Sequence, residues 1–254
     1  MQDNSYVKYR VLVTGFGPFG TYTENPSWLA VKTLHDTIIT TTPARGKPPK
    51  GAKPDSIHLT SLNIPTVYSA VLKTLPDLHA QPPVLPPLYT PPTSRPPPED
   101  GFQLIVHVGV AGPGPLRAEH LAHKTGYSLP DYEHQSPPII IGKGTLRGFG
   151  EPHYGDEFAD ELFTSVNVDA LVSDLTSGPD PLPLETSDDP GRFLCDFIYY
   201  CSLAESQRAG RETPVLFIHC PPIGLATEKK MSTKEVAEGV RRIISSVCGR
   251  LSQR

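Results

Sequence analysis

The chain contains few of the residues that build disulfide-rich or metal-stabilised proteins. Only four cysteines occur among its 254 residues, and no two of them form a Cys-x-x-Cys pair of the kind found in structural zinc sites. A disulfide framework needs more cysteines at closer spacing. We therefore expect reduced thiols, as in cytoplasmic proteins.

Long apolar segments and an excess of charge of one sign are also absent. The segment Met1–Lys8 lacks the apolar core of a signal peptide, and no run approaches the roughly 20 apolar residues of a membrane-spanning helix. The formal net charge is -4, and the basic residues form no stripe. This argues against nucleic acid or a membrane as the partner. We expect a soluble cytoplasmic protein that binds something small.

Short apolar runs alternate along the chain with segments of helical periodicity. The pattern predicts strands at 11–13, 57–59, 104–108, 170–172 and 215–218, and helices at about 26–39, 66–78, 155–166, 195–207 and 232–252. Such alternation is typical of an α/β fold, and we expect a three-layer α/β/α sandwich around a largely parallel, mixed central sheet. Functional residues of such folds collect at the carboxyl ends of the strands.

The 30 prolines are concentrated between the predicted elements. A chain of 254 residues is long enough for one sizeable core, so we expect residues 1–254 to form a single domain with proline-rich insertions near 43–56, 79–101 and 176–186. Pro-x-x-Pro spacing within 81–98 would suit a docking segment in the polyproline II conformation. A solvated surface loop is the simpler interpretation.

A glycine-rich segment, Gly15-Phe16-Gly17-Pro18-Phe19-Gly20, follows the first predicted strand and matches the dinucleotide-binding pattern Gly-x-Gly-x-x-Gly. Its details argue against a nucleotide. Pro18 has no N–H to donate to a phosphate, and the next helix begins only near Pro26. Phe16 and Phe19 would instead suit the walls of a pocket for a small planar group, unless both rings belong to the core.

Cys195 follows the glycine turn at Gly191 and stands at the start of a predicted helix. The positive end of the helix dipole stabilises an anion there, which lowers the pKa of a thiol and favours the nucleophilic thiolate. A free cysteine is, however, more often a buried structural residue. The position of Cys195 therefore permits both a reactive and a structural interpretation.

Several motifs in chain order resemble the pyroglutamyl-peptidase I family, the pyrrolidone-carboxylate cysteine peptidases of family C15. They are Val13–Gly20, Asn25–Trp28, His107–Val110, Gly191–Asp196 and His219–Pro222. Each motif alone is weak, but their shared order is hard to obtain by chance. The resemblance implies a phosphorylase/hydrolase-like α/β fold and a cysteine exopeptidase, an omega-peptidase that hydrolyses the bond after an amino-terminal pyroglutamyl residue. It implies no cofactor and no metal.

The resemblance also implies a catalytic set of Glu119, Cys195 and His219. Glu119 is placed by the segment Glu119–Tyr127, and the nearby His120 and His123 are rivals only if that segment is ignored. A thiolate attacks the carbonyl, an imidazole transfers the proton, and a carboxylate on the far ring nitrogen orients the imidazole.

The substrate pocket is likewise implied by the resemblance. Phe16, Phe19 and Phe193 would line an apolar slot for the neutral lactam ring, and Asn25 would help to shape or bind it. Asn25 has an alternative role, since it can cap the helix that begins at Pro26.

The partners implied are peptides with an amino-terminal pyroglutamate. Some family members carry an arginine about ten residues after the catalytic Glu, whereas 126–131 contains none, so no arginine role is carried over. The insertions would block or replace a subunit interface, which favours a monomer. The alternative function is a catalytically inactive pyroglutamyl-peptide binding protein of the same fold.

Overall fold

The computed structural model describes residues 7–43, 53–222 and 231–252. Its strands are β1 (Tyr9–Phe16), β2 (Thr37–Thr40), β3 (Ser56–Ile64), β4 (Leu104–Val110), β5 (Leu116–Glu119), β6 (Leu121–His123), β7 (Glu161–Phe163), β8 (Leu184–Ser187) and β9 (Val215–Cys220). The central sheet has seven strands in the order β2-β3-β1-β4-β9-β5-β8, while β6 and β7 form a small separate sheet. Strands β3, β1, β4 and β9 are mutually parallel; β2 and β5 pair antiparallel to β3 and β9, and β8 runs parallel to β5.

Helices cover both faces of this sheet. They are α1 (Pro26–Val31), α2 (Tyr68–Leu78), α3 (Val168–Thr176), α4 (Leu194–Arg208) and α5 (Thr233–Leu251). One apolar cluster joins one face of the sheet to α1, α3 and α5, and a second joins the other face to α2 and α4. The predicted α/β/α sandwich with a mostly parallel, mixed sheet is therefore confirmed.

Helix α4 is buried on nearly all sides, which makes it a rigid support. Its inner side packs on the sheet, and Phe197 and Tyr200 stack on Phe149, which belongs to an outer loop. Apolar burial on both sides of a helix leaves little freedom for its first turn to move. Any side chain on that turn is therefore held in a defined position relative to the sheet.

The helix predicted at 26–39 is wrong beyond Val31. A short 3₁₀ turn at Lys32–Leu34 follows α1, and the chain then enters the antiparallel strand β2. Asp36 has a φ of 54°, which no helix accommodates. The residues of β2 are all β-branched, and they favour a strand over a helix.

Two further predictions between β6 and β8 are wrong. The strand predicted at 170–172 lies within α3, whose amino end is capped by the Asn167 side chain accepting from the N–H of Ala170. A short apolar run cannot distinguish a strand from a helix by periodicity. The helix predicted at 155–166 is instead loop and the short strand β7.

The proline-rich segments differ in structure. Residues 79–101 contain neither helix nor strand. The segment 176–186 is more than a loop, because it overlaps the start of the edge strand β8. Residues 44–52 of the first predicted insertion lie outside the described residues. Among the described helices, none has the length and apolar character needed to cross a membrane.

Candidate active site

Glu119 and His219 form a buried pair on neighbouring antiparallel strands. Oε1 of Glu119, the last residue of β5, lies 2.6 Å from Nδ1 of His219 in β9. Glu119 is fully buried, and His219 is 5% exposed. Because an ionised carboxylate can only accept a hydrogen bond, Nδ1 carries the proton. In the neutral ring, Nε2 is then the proton acceptor, and it bonds to none of the described residues.

Contacts from strand and helix hold this pair in place. Phe217 lies opposite Glu119 in the strand register, and its ring centroid is 4.7 Å from that of His219. The Tyr199 hydroxyl, on α4, donates to the main-chain oxygen of Glu119 at 3.0 Å. Oε2 of Glu119 is buried without a hydrogen-bond partner among the described residues. Among the described residues, the imidazole is thus the one side chain that donates a hydrogen bond to this carboxylate.

Cys195, the second residue of α4, lies over Gly109 of β4, the strand next to β9 in the sheet. A Cβ atom built on Gly109 would be only 2.8 Å from the Cys195 sulfur. Gly109 in β4 is the register partner of His219 in β9. The fold therefore brings Glu119, Cys195 and His219 to one face of the sheet, where the parallel strands β4 and β9 end.

The electrostatic environment of Cys195 differs from the one expected at a helix start. Burial raises the pKa of its thiol above the ordinary value, and Cys220, Asp196 and Glu119 act in the same direction. Desolvation of the thiolate therefore outweighs the helix dipole. Cys195 is only partly buried, but its raised pKa disfavours the thiolate, so its reaction as a nucleophile needs an adjacent base.

Phe19 and Phe193 meet beside the cysteine. Phe193 immediately precedes α4, and its ring centroid is 5.2 Å from that of Phe19 and 6.1 Å from that of Tyr68. The Phe19 ring is 39% exposed, whereas Phe16 is 2% exposed and belongs to the core cluster beneath α2 and α4. Phe19 and Phe193 are thus placed to form an apolar wall, and Phe16 supports the core.

Asn25 uses its side-chain amide within the protein. Its Oδ1 accepts from the N–H and hydroxyl of Ser27, and its Nδ2 donates to the carbonyl of Gly17 at 3.0 Å. Asn25 is 4% exposed. These contacts cap α1 and fix the glycine-rich segment, so they favour the capping role over direct substrate binding.

The glycine-rich segment is not arranged for a phosphate. The N–H of Gly17 donates to the Ile64 carbonyl at 2.8 Å, and α1 begins only at Pro26. Gly15 instead permits close packing, because a Cβ there would lie 2.8 Å from the backbone of Trp28. The glycines of this segment thus serve packing within the fold.

The two rival histidines are engaged elsewhere. Nδ1 of His120 lies 2.7 Å from Asp188, and Nδ1 of His123 lies 2.9 Å from Asp196. Within the ranges that the structure describes, no group of three or more His, Cys, Asp or Glu side chains is arranged to hold a metal ion.

Sequence reasoning missed Gly109, Tyr199 and Asp196 as parts of this site. A glycine inside an apolar strand pattern signals close approach of another group, so the sequence alone could have predicted a close contact at Gly109. Tyr199 gave no such signal, because its contact with Glu119 reaches a residue far away in the chain. Asp196 stood inside the Gly191–Asp196 motif, but its contact with His123 is equally distant in sequence.

The fold and this geometry define the class of protein. An α/β/α sandwich that sets a cysteine at a helix start beside a buried His–Glu pair has the layout of a cysteine hydrolase. The comparisons with known proteins point to one family within this class. The family model described as pyroglutamyl peptidase matches residues 9–75.

Full-length relatives agree with that match. Pyroglutamyl-peptidase 1 of Mus musculus is 29% identical over 244 residues, covering 96% of this chain and 91% of that protein. Pyrrolidone-carboxylate peptidase of Thermococcus onnurineus is 28% identical over 217 residues, covering 84% and 83%. The chain is similar to pyroglutamyl peptidases over most of its length, and the resemblance seen in its motifs is confirmed.

Solved structures show the same fold. Pyroglutamyl peptidase I of Bacillus amyloliquefaciens matches with a TM-score of 0.68 at 21% identity, covering 94% of this chain and 97% of that one. Pyrrolidone carboxyl peptidase of Thermococcus litoralis matches with a TM-score of 0.69 at 16% identity, covering 96% of each chain.

Proposed function

We propose that the protein is a cysteine exopeptidase that removes an amino-terminal pyroglutamyl residue from peptides. The observation that carries this proposal is the 2.6 Å contact between His219 Nδ1 and Glu119 Oε1. The Cys195 sulfur lies on the same face of the sheet, against Gly109, the register partner of His219. The printed names of the relatives supply the substrate class, and the site supplies residues of the types that this hydrolysis needs.

Acylation begins when Nε2 of His219 takes the proton from the Cys195 thiol. The sulfur attacks the pyroglutamyl carbonyl carbon, and negative charge develops on the carbonyl oxygen. The first N–H groups of a helix have no intrahelical acceptor, so the N–H of Cys195 is a natural donor to that oxygen. One such donor contributes about 2.7–4 kcal/mol in a comparable site.

The intermediate then collapses and the carbon–nitrogen bond breaks. His219 protonates the departing amine, which leaves a thioester between the pyroglutamyl group and Cys195. His219 next takes a proton from water, the hydroxide adds to the thioester carbonyl, and the thiol regains its proton as it leaves. Glu119 holds the ring tautomer throughout and stabilises the imidazolium.

The apolar wall explains selectivity for the acyl group. Pyroglutamate is a neutral lactam, so its ring can lie against Phe19 and Phe193 without burying a charge. A free amino terminus would have to lose its hydration there without a counter-ion, which is costly. We further propose that residues 1–254 act as one domain in the cytoplasm, without a cofactor or metal.

A panel of chromogenic amides tests the proposal. We expect the purified protein to hydrolyse the pyroglutamyl amide and to leave the prolyl, glutamyl and acetyl-alanyl amides intact. Cys195→Ser and His219→Ala should each remove most turnover at an unchanged melting temperature. Binding of the pyroglutamyl amide without hydrolysis would instead identify the catalytically inactive binding protein.

A further inference from the structure

Asp196 is a fully buried carboxylate that directly follows the nucleophile candidate in α4. An ionised carboxylate is retained in a protein interior only when hydrogen bonds replace its hydration. Burial does raise the pKa of Asp196, and hydrogen bonds from His123 oppose that shift. The catalytic mechanism derived above assigns this group no step.

Its first partner belongs to the chain segment that carries Glu119. Oδ1 of Asp196 accepts from the main-chain N–H of His123 at 2.7 Å, and Oδ2 lies 2.9 Å from Nδ1 of the same residue. His123 ends β6, which follows β5 almost without a break. One carboxylate therefore joins the first turn of α4 to the chain segment in which Glu119 ends β5 and His123 ends β6.

Its second partner is the turn that leads into α4. Oδ2 of Asp196 is 3.3 Å from both the main-chain N and Nη1 of Arg192. Arg192 has a φ of 48°, a left-handed conformation that is uncommon for a residue with a side chain and needs support from its surroundings. The next residue, Phe193, forms part of the apolar wall.

We propose that Asp196 is a positioning residue for the hydrolysis. By binding His123 and Arg192 together, it fixes the thiol and the N–H of Cys195 relative to the His219–Glu119 pair. The inference rests on the proposed function. Asp196 would act together with Glu119, Cys195 and His219, but it would not touch the reacting atoms. Small displacements of a nucleophile are costly in rate, so loss of this link should act mainly on kcat.

The variant Asp196→Asn tests this at nearly constant volume. An amide offers one acceptor oxygen in place of two and points an N–H group toward one of its present donors. We expect kcat to fall about 10- to 100-fold while KM changes by less than about threefold. The matched control is Asp36→Asn. Oδ1 of Asp36 lies 2.8 Å from a histidine, His58, at the far, amino-terminal end of the parallel strands.

The control should keep kcat within about twofold of wild type even if its melting temperature falls. A kcat for Asp196→Asn equal to that of wild type, or reduced no more than that of Asp36→Asn, would overturn the inference. A wild-type protein that does not hydrolyse the pyroglutamyl amide would overturn the proposed function instead, so the two failures are distinguishable.

A second variant keeps the test decisive if Asp196→Asn does not fold. Arg192→Gln removes the guanidinium contacts with Asp196, His123 and Asp189 but keeps the main-chain contact with Asp196, and the Arg192 side chain is 38% exposed. We expect a fall in kcat of about 3- to 10-fold at a melting temperature close to wild type. An unchanged kcat in folded Arg192→Gln would count against the inference.

Discussion

The Cys195 sulfur packs so closely against Gly109 that no methyl group fits on that residue. A Cβ atom at Gly109 would lie 2.8 Å from the sulfur and 2.7 Å from the Phe217 ring. Neither neighbour can retreat easily, since Cys195 is fixed by α4 and Phe217 is fully buried. The glycine thus sets the height of the thiol above the sheet, next to His219.

Gly109→Ala should therefore displace the thiol and reduce kcat/KM by about 100-fold or more, because overpacking shifts side chains in a dense core. Steady-state kinetics with the pyroglutamyl amide measure this. Gly112→Ala is the matched control: no heavy atom lies within 4 Å of a Cβ built at Gly112, so that variant should behave as wild type. Equal activity of both variants would show that the sulfur does not depend on Gly109.

Glu119→Gln should reduce kcat by about 10²- to 10⁴-fold at near-constant shape. The neutral amide no longer stabilises the imidazolium, and its N–H group can turn toward Nδ1 and reverse the tautomer of His219. The control is Glu185→Gln, at an exposed position on the edge strand β8. Activity of Glu119→Gln close to that of the control would remove Glu119 from the catalytic set.

Two buried histidines should make the fold acid-sensitive. Burial lowers the pKa of His79 to about 3 and that of His107 to about 3, with smaller contributions from Arg211 and from His79 respectively. A lowered folded-state pKa means that the unfolded chain binds more protons below pH about 6.5, so stability is lost as the pH falls from there toward about 3.

The expected loss is about 1.4 kcal/mol per pH unit for each histidine within that window. Urea unfolding at several pH values measures it. His79→Asn should flatten the dependence of the unfolding free energy on pH, even if it lowers stability at neutral pH. An identical slope in wild type and variant would exclude His79 as a source of the acid sensitivity.

The sequence predicted the elements whose patterns are local. Helix α5 begins with a capping box of Ser232 and Glu235, and both halves of that box are present. The strands β4 and β9 were visible as apolar runs because both of their faces are buried. The strand β2 was missed, since Thr37–Thr40 follows a true helix start at Pro26 and forms a strand only by pairing with β3.

The candidate site likewise has features that local sequence patterns indicate and features that only the folded chain reveals. Cys195 at a helix start and the close approach implied by Gly109 are local features of the sequence. The pairing of Glu119 with His219 depends on β5 lying antiparallel beside β9, which no local pattern encodes. The pKa of Cys195 was expected to fall, and it rises because desolvation by residues distant in sequence disfavours the thiolate. Burial of this kind becomes visible only once the chain is folded.

The central claim is that the Cys195 sulfur carries the pyroglutamyl group during turnover. Acid quenching during turnover of a pyroglutamyl ester, followed by peptide mass mapping, tests it most directly. We predict one pyroglutamyl adduct on the peptide that contains Cys195, and none in Cys195→Ser. An adduct on the peptide containing the neighbouring Cys220, or full hydrolysis by Cys195→Ser, would contradict the account.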